Sequence, residues 1–438
     1  MNIELASILR ACFRASSPAE KRYNLKWINC VILEGYKYLY GYGRKKKKSL
    51  WVSKIKPMVE ILKDREFEHD FEIIETRIIE FGKNNITNKE YRDLSFHYDL
   101  EPLSVYNMLM ELGEEEEAQR MISFFMGLLQ EISLFVSKYL KDYEIHVNVE
   151  PKSISKYEFA FTDLDIFQNS KDNLYSTLKE AIQGHSQRLD EFFHLQKLPD
   201  WIIQEFKNID SETIAPIHKC IEIVKVAIQL TYLYIDLASA SCAFISSEYT
   251  IEKQLSLKQI NTIIYEGYDK LYGLSDDSED SFWKKYVSPI ALENKDETIF
   301  DNFNFVEQEL QTFKLQVKTF ERQRQLSVHL DKGIVRVYSM LHNLNPIVEL
   351  HKALQLLNIL PKILDFLTKC FYLIQANHEK KMAPTYETID NIINLIKNVP
   401  DTQQKENLIK ILESIKTGDF LTTYKTIRAK NPSGNFNF

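Results

Sequence analysis

The chain has 438 residues, enough for roughly two or three domains that each bury a core. Its 44% hydrophobic and 27% charged residues exclude a disordered chain, and the low counts of 12 glycines and 12 prolines exclude a collagen-like or turn-rich one. With 55 Lys+Arg against 62 Asp+Glu the net charge is -7, which excludes a global basic field for long nucleic acid but leaves room for a local patch.

The first residues, MNIELASILR, put Glu4 and Arg10 where a secretion signal needs an apolar core, so the expected location is the cytoplasm. Cys12, Cys30, Cys220, Cys242 and Cys370 are scattered without a CxxC pair, which favours reduced thiols over disulfides or zinc. Ile28, Val31, Ile32, Tyr36 and Leu39 recur at three- and four-residue steps and predict a helix that stops near Gly41 in a left-handed cap. The loop after it carries Arg44, Lys45, Lys46, Lys47 and Lys48, a candidate guide for an RNA backbone set against the plainer reading of a solvated loop. A second helix is expected from near Trp51, with Tyr36, Tyr40 and Trp51 as core residues rather than base-stacking platforms. Val105, Tyr106, Leu109 and Leu112 belong to another amphipathic helix, residues 120–140 to a long apolar one, and 143–151 to a short strand or extended linker. Asp163-x-Asp165 has no Gly-Ser nucleotide loop before it and reads as an exposed turn. The apolar stretches 224–244 and 353–375 hold Lys225 and Asp236, and Lys362, Asp365 and Lys369; charges there are costly in lipid, so both read as buried helices and no membrane association is expected.

The second half of the chain repeats the first. KWINCVILEGYKYLYGYGRKKKKSLWVSKIKP from Lys26 returns without a gap as KQINTIIYEGYDKLYGLSDDSEDSFWKKYVSP from Lys258, an offset of 232 residues. The same offset matches Glu4 to Asp236, Phe71, Glu75 and Phe81 to Phe303, Glu307 and Phe313, and 91–112 to 323–344. A second helix ending near Gly273 and a second aromatic set, Tyr268, Tyr272 and Trp283, are expected from it. The expected fold is all-α: two tandem pseudo-symmetric helical bundles with additional helical segments. Copy one covers 1–145, a helical linker or extension 146–232, copy two 233–377 and a C-terminal helical extension 378–438. Duplicated units commonly pack about an approximate two-fold axis, as homodimer subunits do.

One repeated polar group is more than a core needs. Arg92, Asp93, Ser95, His97 and Asp99 in copy one stand where copy two has Arg324, Gln325, Ser327, His329 and Asp331, so both copies keep R-x4-H. Arginine supplies a permanently charged fork for phosphate, and histidine exchanges protons near neutrality. In RNA the 2′-hydroxyl is a built-in nucleophile, so a histidine acting as base or acid and an arginine holding the charged phosphorane suffice for cleavage without metal. Five residues along a helix turn through about 140°, so one Arg and its own His do not share a face and meet only at a helix break or an interface.

This pattern resembles the HEPN superfamily, whose ribonuclease members carry R-x4-6-H on a compact helical bundle, often with a polar residue after the arginine. The resemblance covers the motif and its helical surroundings in both halves; Arg92, Asp93 and His97 fit the pattern, as do Arg324 and His329, while Gln325 replaces the acidic second residue. It implies a composite site where two bundles pair, with Arg92, His97, Arg324 and His329 catalytic and no metal or cofactor. It also implies RNA as partner, a role in stress response, a toxin system or phage defence, and a protein inhibitor or trigger. The competing reading makes the repeated Arg, Ser, His and Asp a buried network of caps and ion pairs in a non-catalytic helical scaffold or RNA-binding module. No Walker A loop, Rossmann glycine fingerprint, HExxH or G-x-S-x-G sequence is present.

Overall fold

The computed structural model describes residues 2–41, 43–85, 115–142, 164–205, 211–274, 281–293, 297–317 and 344–397, together with Ser104, Asn107, Glu406, Ile409, Lys410 and Glu413. Among these residues every regular element is helical, so the fold is all-α as expected. The helices are α1 (Asn2–Arg14), α2 (Pro18–Leu39), α3 (Lys56–Leu62), α4 (Arg65–Asn85), α5 (Glu115–Asp142), α6 (Leu164–Glu205), α7 (Ser211–Ser246), α8 (Thr250–Leu271), α9 (Ser288–Glu293), α10 (Glu297–Val317) and α11 (Pro346–Lys397). The chain divides into two compact units, Met1–Thr368 and Lys369–Phe438. The first unit holds α1 to α10 and the part of α11 up to Thr368. The helices α7 and α11 run without interruption through positions 233 and 378, where the sequence suggested domain boundaries.

Each local signal has a physical origin. Ser17 caps α2 by accepting from the Glu20 backbone N–H at 3.2 Å, and the Glu20 carboxylate accepts from the Ser17 N–H at 3.2 Å, which satisfies orphan donors at both ends of the box. The helix stops at Gly41, whose φ of 76° is open to a residue without Cβ; α8 stops in the same way at Gly273, with φ of 89°. Beyond each cap the chain enters a π-helical turn, Trp51–Ile55 and Trp283–Val287, before α3 and α9. The sequence suggested an ordinary helix start here. Pro57 and Pro289 have no N–H for the carbonyls of Ser53 and Lys285, and the Lys56 and Ser288 N–H groups bond to Trp51 and Trp283, so the turn widens.

The two tryptophans centre two aromatic cores. Trp51 stacks on Phe71 with centroids 4.9 Å apart and lies 6.2 Å from Phe135; Trp283 stacks on Phe303 at 5.3 Å and lies 6.4 Å from Phe366. Tyr36, Tyr40, Tyr268 and Tyr272 are buried beside them, as the core reading requires. Residues Gln119–Lys138 of α5 are long and apolar enough to cross a membrane by length and composition. Ile122, Phe125, Leu128, Ile132 and Phe135 of that stretch are buried in the fold, with Phe125 and Phe135 against the rings of Phe81 and Trp51. The stretch 224–244 lies within α7 and is almost wholly buried.

The two bundles repeat element by element. Both ends of α8 lie 232 residues after those of α2, and both ends of α10 lie 232 after those of α4. In the last helix of each bundle the spacing changes to 231: Phe135 is matched by Phe366 against the tryptophan, and the Arg77–Glu131 ion pair is matched, with its charges exchanged, by Glu309–Lys362 at 2.5 Å. The identities that mark that one-residue shift, such as Leu129 with Leu360, Ile132 with Ile363 and Phe135 with Phe366, appear only at the new offset and are missed by a search at 232.

Candidate functional site

The residues singled out by their R-x4-H pattern, Arg92, Asp93, Ser95, His97 and Asp99 with Arg324, Gln325, Ser327, His329 and Asp331, lie outside the described residues. Helix α4 ends at Asn85, seven residues before Arg92, and α10 ends at Val317, seven residues before Arg324. Later in the chain, α5 begins eighteen residues after His97 and α11 seventeen after His329. The strand or linker suggested at 143–151, Asp163, and Val105, Tyr106, Leu109 and Leu112 also lie outside the described residues; Asp165 falls in α6, which the turn reading did not anticipate.

The bundles are joined by a reciprocal contact. Lys26 of α2 pairs with Asp236 of α7, and Lys258 of α8 pairs with Glu4 of α1 at 2.6 Å, with all four side chains buried. Lys258 is the counterpart of Lys26 and Asp236 the counterpart of Glu4. The lysine of either half therefore reaches the acid of the other, the pattern by which residue i contacts j and j contacts i across a two-fold interface. Buried charges are tolerated only when paired, so these bridges fix the register of α1 and α2 against α7 and α8. Sequence reasoning missed this contact although its signal was present: the lysines and the acids were all among the repeated positions, and only their mutual proximity was not.

Around this centre the symmetry breaks. Arg10 of α1 donates to Glu252 at 2.9 Å, and Arg14 donates to the Ser246 carbonyl at 2.9 Å and to Glu248 at 3.0 Å. The counterparts of Arg10 and Arg14 are Cys242 and Ser246, which offer no cation. Glu20, the counterpart of Glu252, is met instead by Lys179 of α6 at 2.9 Å. The long helix α6 thus braces one side of the interface where α1 braces the other. Its His185 packs on Tyr234 with centroids 3.9 Å apart, and burial, with a smaller contribution from Arg188, pushes the imidazole down to about 4. Such a group is neutral at physiological pH and serves packing rather than proton transfer.

The basic loop forms a short 3-10 turn, Gly43–Lys48, in which Lys46, Lys47 and Lys48 are exposed. The Lys46 ammonium lies 4.2 Å from the centre of the Tyr40 ring, a cation–π contact that anchors the turn. The side chains of Arg44 and Lys45 and the acidic counterpart 276–280 lie outside the described residues. Among the described residues no cluster of His, Cys, Asp and Glu has the arrangement of a metal site. No protein-family model, curated protein or solved structure matches the chain.

Proposed function

We propose that the protein is a metal-independent endoribonuclease of HEPN type, in which Arg92 and His97 of one bundle and Arg324 and His329 of the other serve a single RNA cleft. The observation that carries this reading is the coincidence of two repeats. The R-x4-H motif returns seven residues after equivalent helices, in bundles that also exchange a reciprocal Lys–acid contact. A composite site needs the segment after α4 and the segment after α10 to follow the same reciprocal pairing.

In the proposed reaction one histidine takes the proton of the ribose 2′-hydroxyl as its oxygen attacks the adjacent phosphorus. The other histidine gives a proton to the departing 5′-oxygen, and the arginines hold the charged phosphorane. The products are a 2′,3′-cyclic phosphate and a 5′-hydroxyl. The exposed lysines Lys46, Lys47 and Lys48 supply a local positive field for the RNA backbone despite the net negative chain.

One observation favours the competing reading of a non-catalytic helical scaffold or RNA-binding module. Other polar residues at repeated positions, Lys26 and Lys258 with the acids Asp236 and Glu4, are engaged in buried bridges rather than chemistry. Incubation of the purified chain with structured RNA in EDTA separates the two. Cleavage by the wild type with loss in both Arg92→Ala and His329→Ala, each by about a hundredfold or more, supports one shared site. Binding without cleavage supports the scaffold, and cleavage that persists in both variants removes these residues from the reaction.

A further inference from the structure

We infer that the outer face of α1 is a docking site for an amphipathic α-helix of a partner protein, one that presents a carboxylate to Arg10. The starting point is the internal repeat. Helix α1 returns as the last part of α7, so Ala6, Leu9, Arg10 and Phe13 correspond to Ala238, Ser241, Cys242 and Ile245. Steps of three and four residues put each set on one helix face.

In α7 that face lies under α6. His185 of α6 packs on Tyr234; six residues earlier Lys179 donates to Glu20 and Ser16 at 2.9 Å, and its charge reaches the Cys242 thiol. Ala238 and Ser241, between those contacts, have no exposed surface, and Ile245 is 3% exposed. On α1 the equivalent stripe is open: Phe13 is 60% exposed, and Ala6 and Leu9 are half-buried. Tyr249, which stands where the first copy has Ser17, adds a ring that is 52% exposed, and the Arg10 guanidinium lies 4.9 Å from its centre. Exposed aromatic rings and an arginine are the side chains that anchor interfaces. A helix is the occupant that suits this face, because a helix occupies the matching face in the other half.

Charge selects which helix fits. At the α6 seat the acid Glu20 is met from outside by Lys179. Its counterpart Glu252 is already met by α1 itself, through Arg10 at 2.9 Å and Arg14 at 3.9 Å. The Arg10 side chain stays 48% exposed, so its planar fork keeps donors for a second carboxylate. A lysine in the position of Lys179 would face like charge there, and like charges across an interface reject a partner. The face of α1 thus repeats the α6 seat with its charge preference reversed. It does not depend on the ribonuclease reading, since docking of a helix requires no cleavage.

The test titrates the full chain into fluorescein-labelled synthetic peptides of residues 168–190 of α6, in the native form and with Lys179→Glu, and follows anisotropy. The Lys179→Glu peptide is expected to saturate on the wild type and to bind at least about tenfold more tightly than the native peptide. A peptide that displaced α6 from its own seat would show the opposite order, because Glu20 there calls for a lysine. In the full chain, Phe13→Asp is expected to weaken the Lys179→Glu peptide by at least about tenfold while keeping the helical circular dichroism signal. Arg10→Gln is expected to erase the difference between the two peptides. The inference is overturned if the Lys179→Glu peptide does not saturate, if the native peptide binds as well or better, or if both protein variants behave like the wild type.

Discussion

At the scale of single residues, the four charges that join the bundles decide more than their number suggests. Lys26 and Asp236, like Lys258 and Glu4, are held away from water, so their attraction must offset the loss of hydration on both sides. Removal of one partner leaves the other buried and uncompensated. Lys26→Ala and Lys258→Ala are each expected to lower unfolding stability by about 3–5 kcal/mol, whereas the paired change Lys26→Met with Asp236→Leu should cost far less. Urea unfolding midpoints of the three variants check this. Near equality of the two single variants is the signature of reciprocal contacts, and a cost below about 1 kcal/mol in either would show that its bridge is a surface-like one.

At the scale of elements, most of what the sequence encodes is local. Helical spacing announces α2 and α8 because their apolar stripes recur within one segment, and Gly41 and Gly273 mark their ends because only glycine enters the left-handed region cheaply. Their N–H groups complete the caps by donating to Tyr36 and Tyr268 at 3.2 and 3.4 Å. Gly41→Ala and Gly273→Ala are each expected to cost about 1–2 kcal/mol, read as a similar drop in thermal unfolding midpoint for both. The aromatic cores were legible for the same reason: Tyr36 with Trp51, and Tyr268 with Trp283, are repeated bulky residues with no polar alternative in their pattern.

Other features escaped a reading along the chain. The π-helical turns depend on an absent donor at Pro57 and Pro289, which spacing does not reveal. The 231-residue register of the last helix rests on Phe366 meeting Trp283 as Phe135 meets Trp51, and on a charge exchange between Arg77–Glu131 and Glu309–Lys362 that preserves no identity; both lie off the 232-residue offset of the rest. Of the candidate catalytic site, the repeated motif is legible as a pattern, and its residues lie outside the described ones.

At the scale of the molecule, two similar bundles have acquired different surroundings. Arg10 and Arg14 hold Glu252 and Glu248 on one side, and Lys179 of α6 holds Glu20 on the other. Reciprocal bridges at the centre with unlike braces outside let one bundle change without loss of the pairing. The same division allows a basic sequence, Arg44 to Lys48, in one copy where the other has the acidic sequence 276–280.

The most direct measurement of the account is spatial. Ser95→Cys and Ser327→Cys, one within each R-x4-H motif, are introduced together and treated with a short bismaleimide, and the digested monomer is analysed by mass spectrometry. A shared cleft predicts one intramolecular link between the peptides that carry residues 95 and 327. Complete labelling of both cysteines as separate adducts, with no peptide joining them, would contradict it.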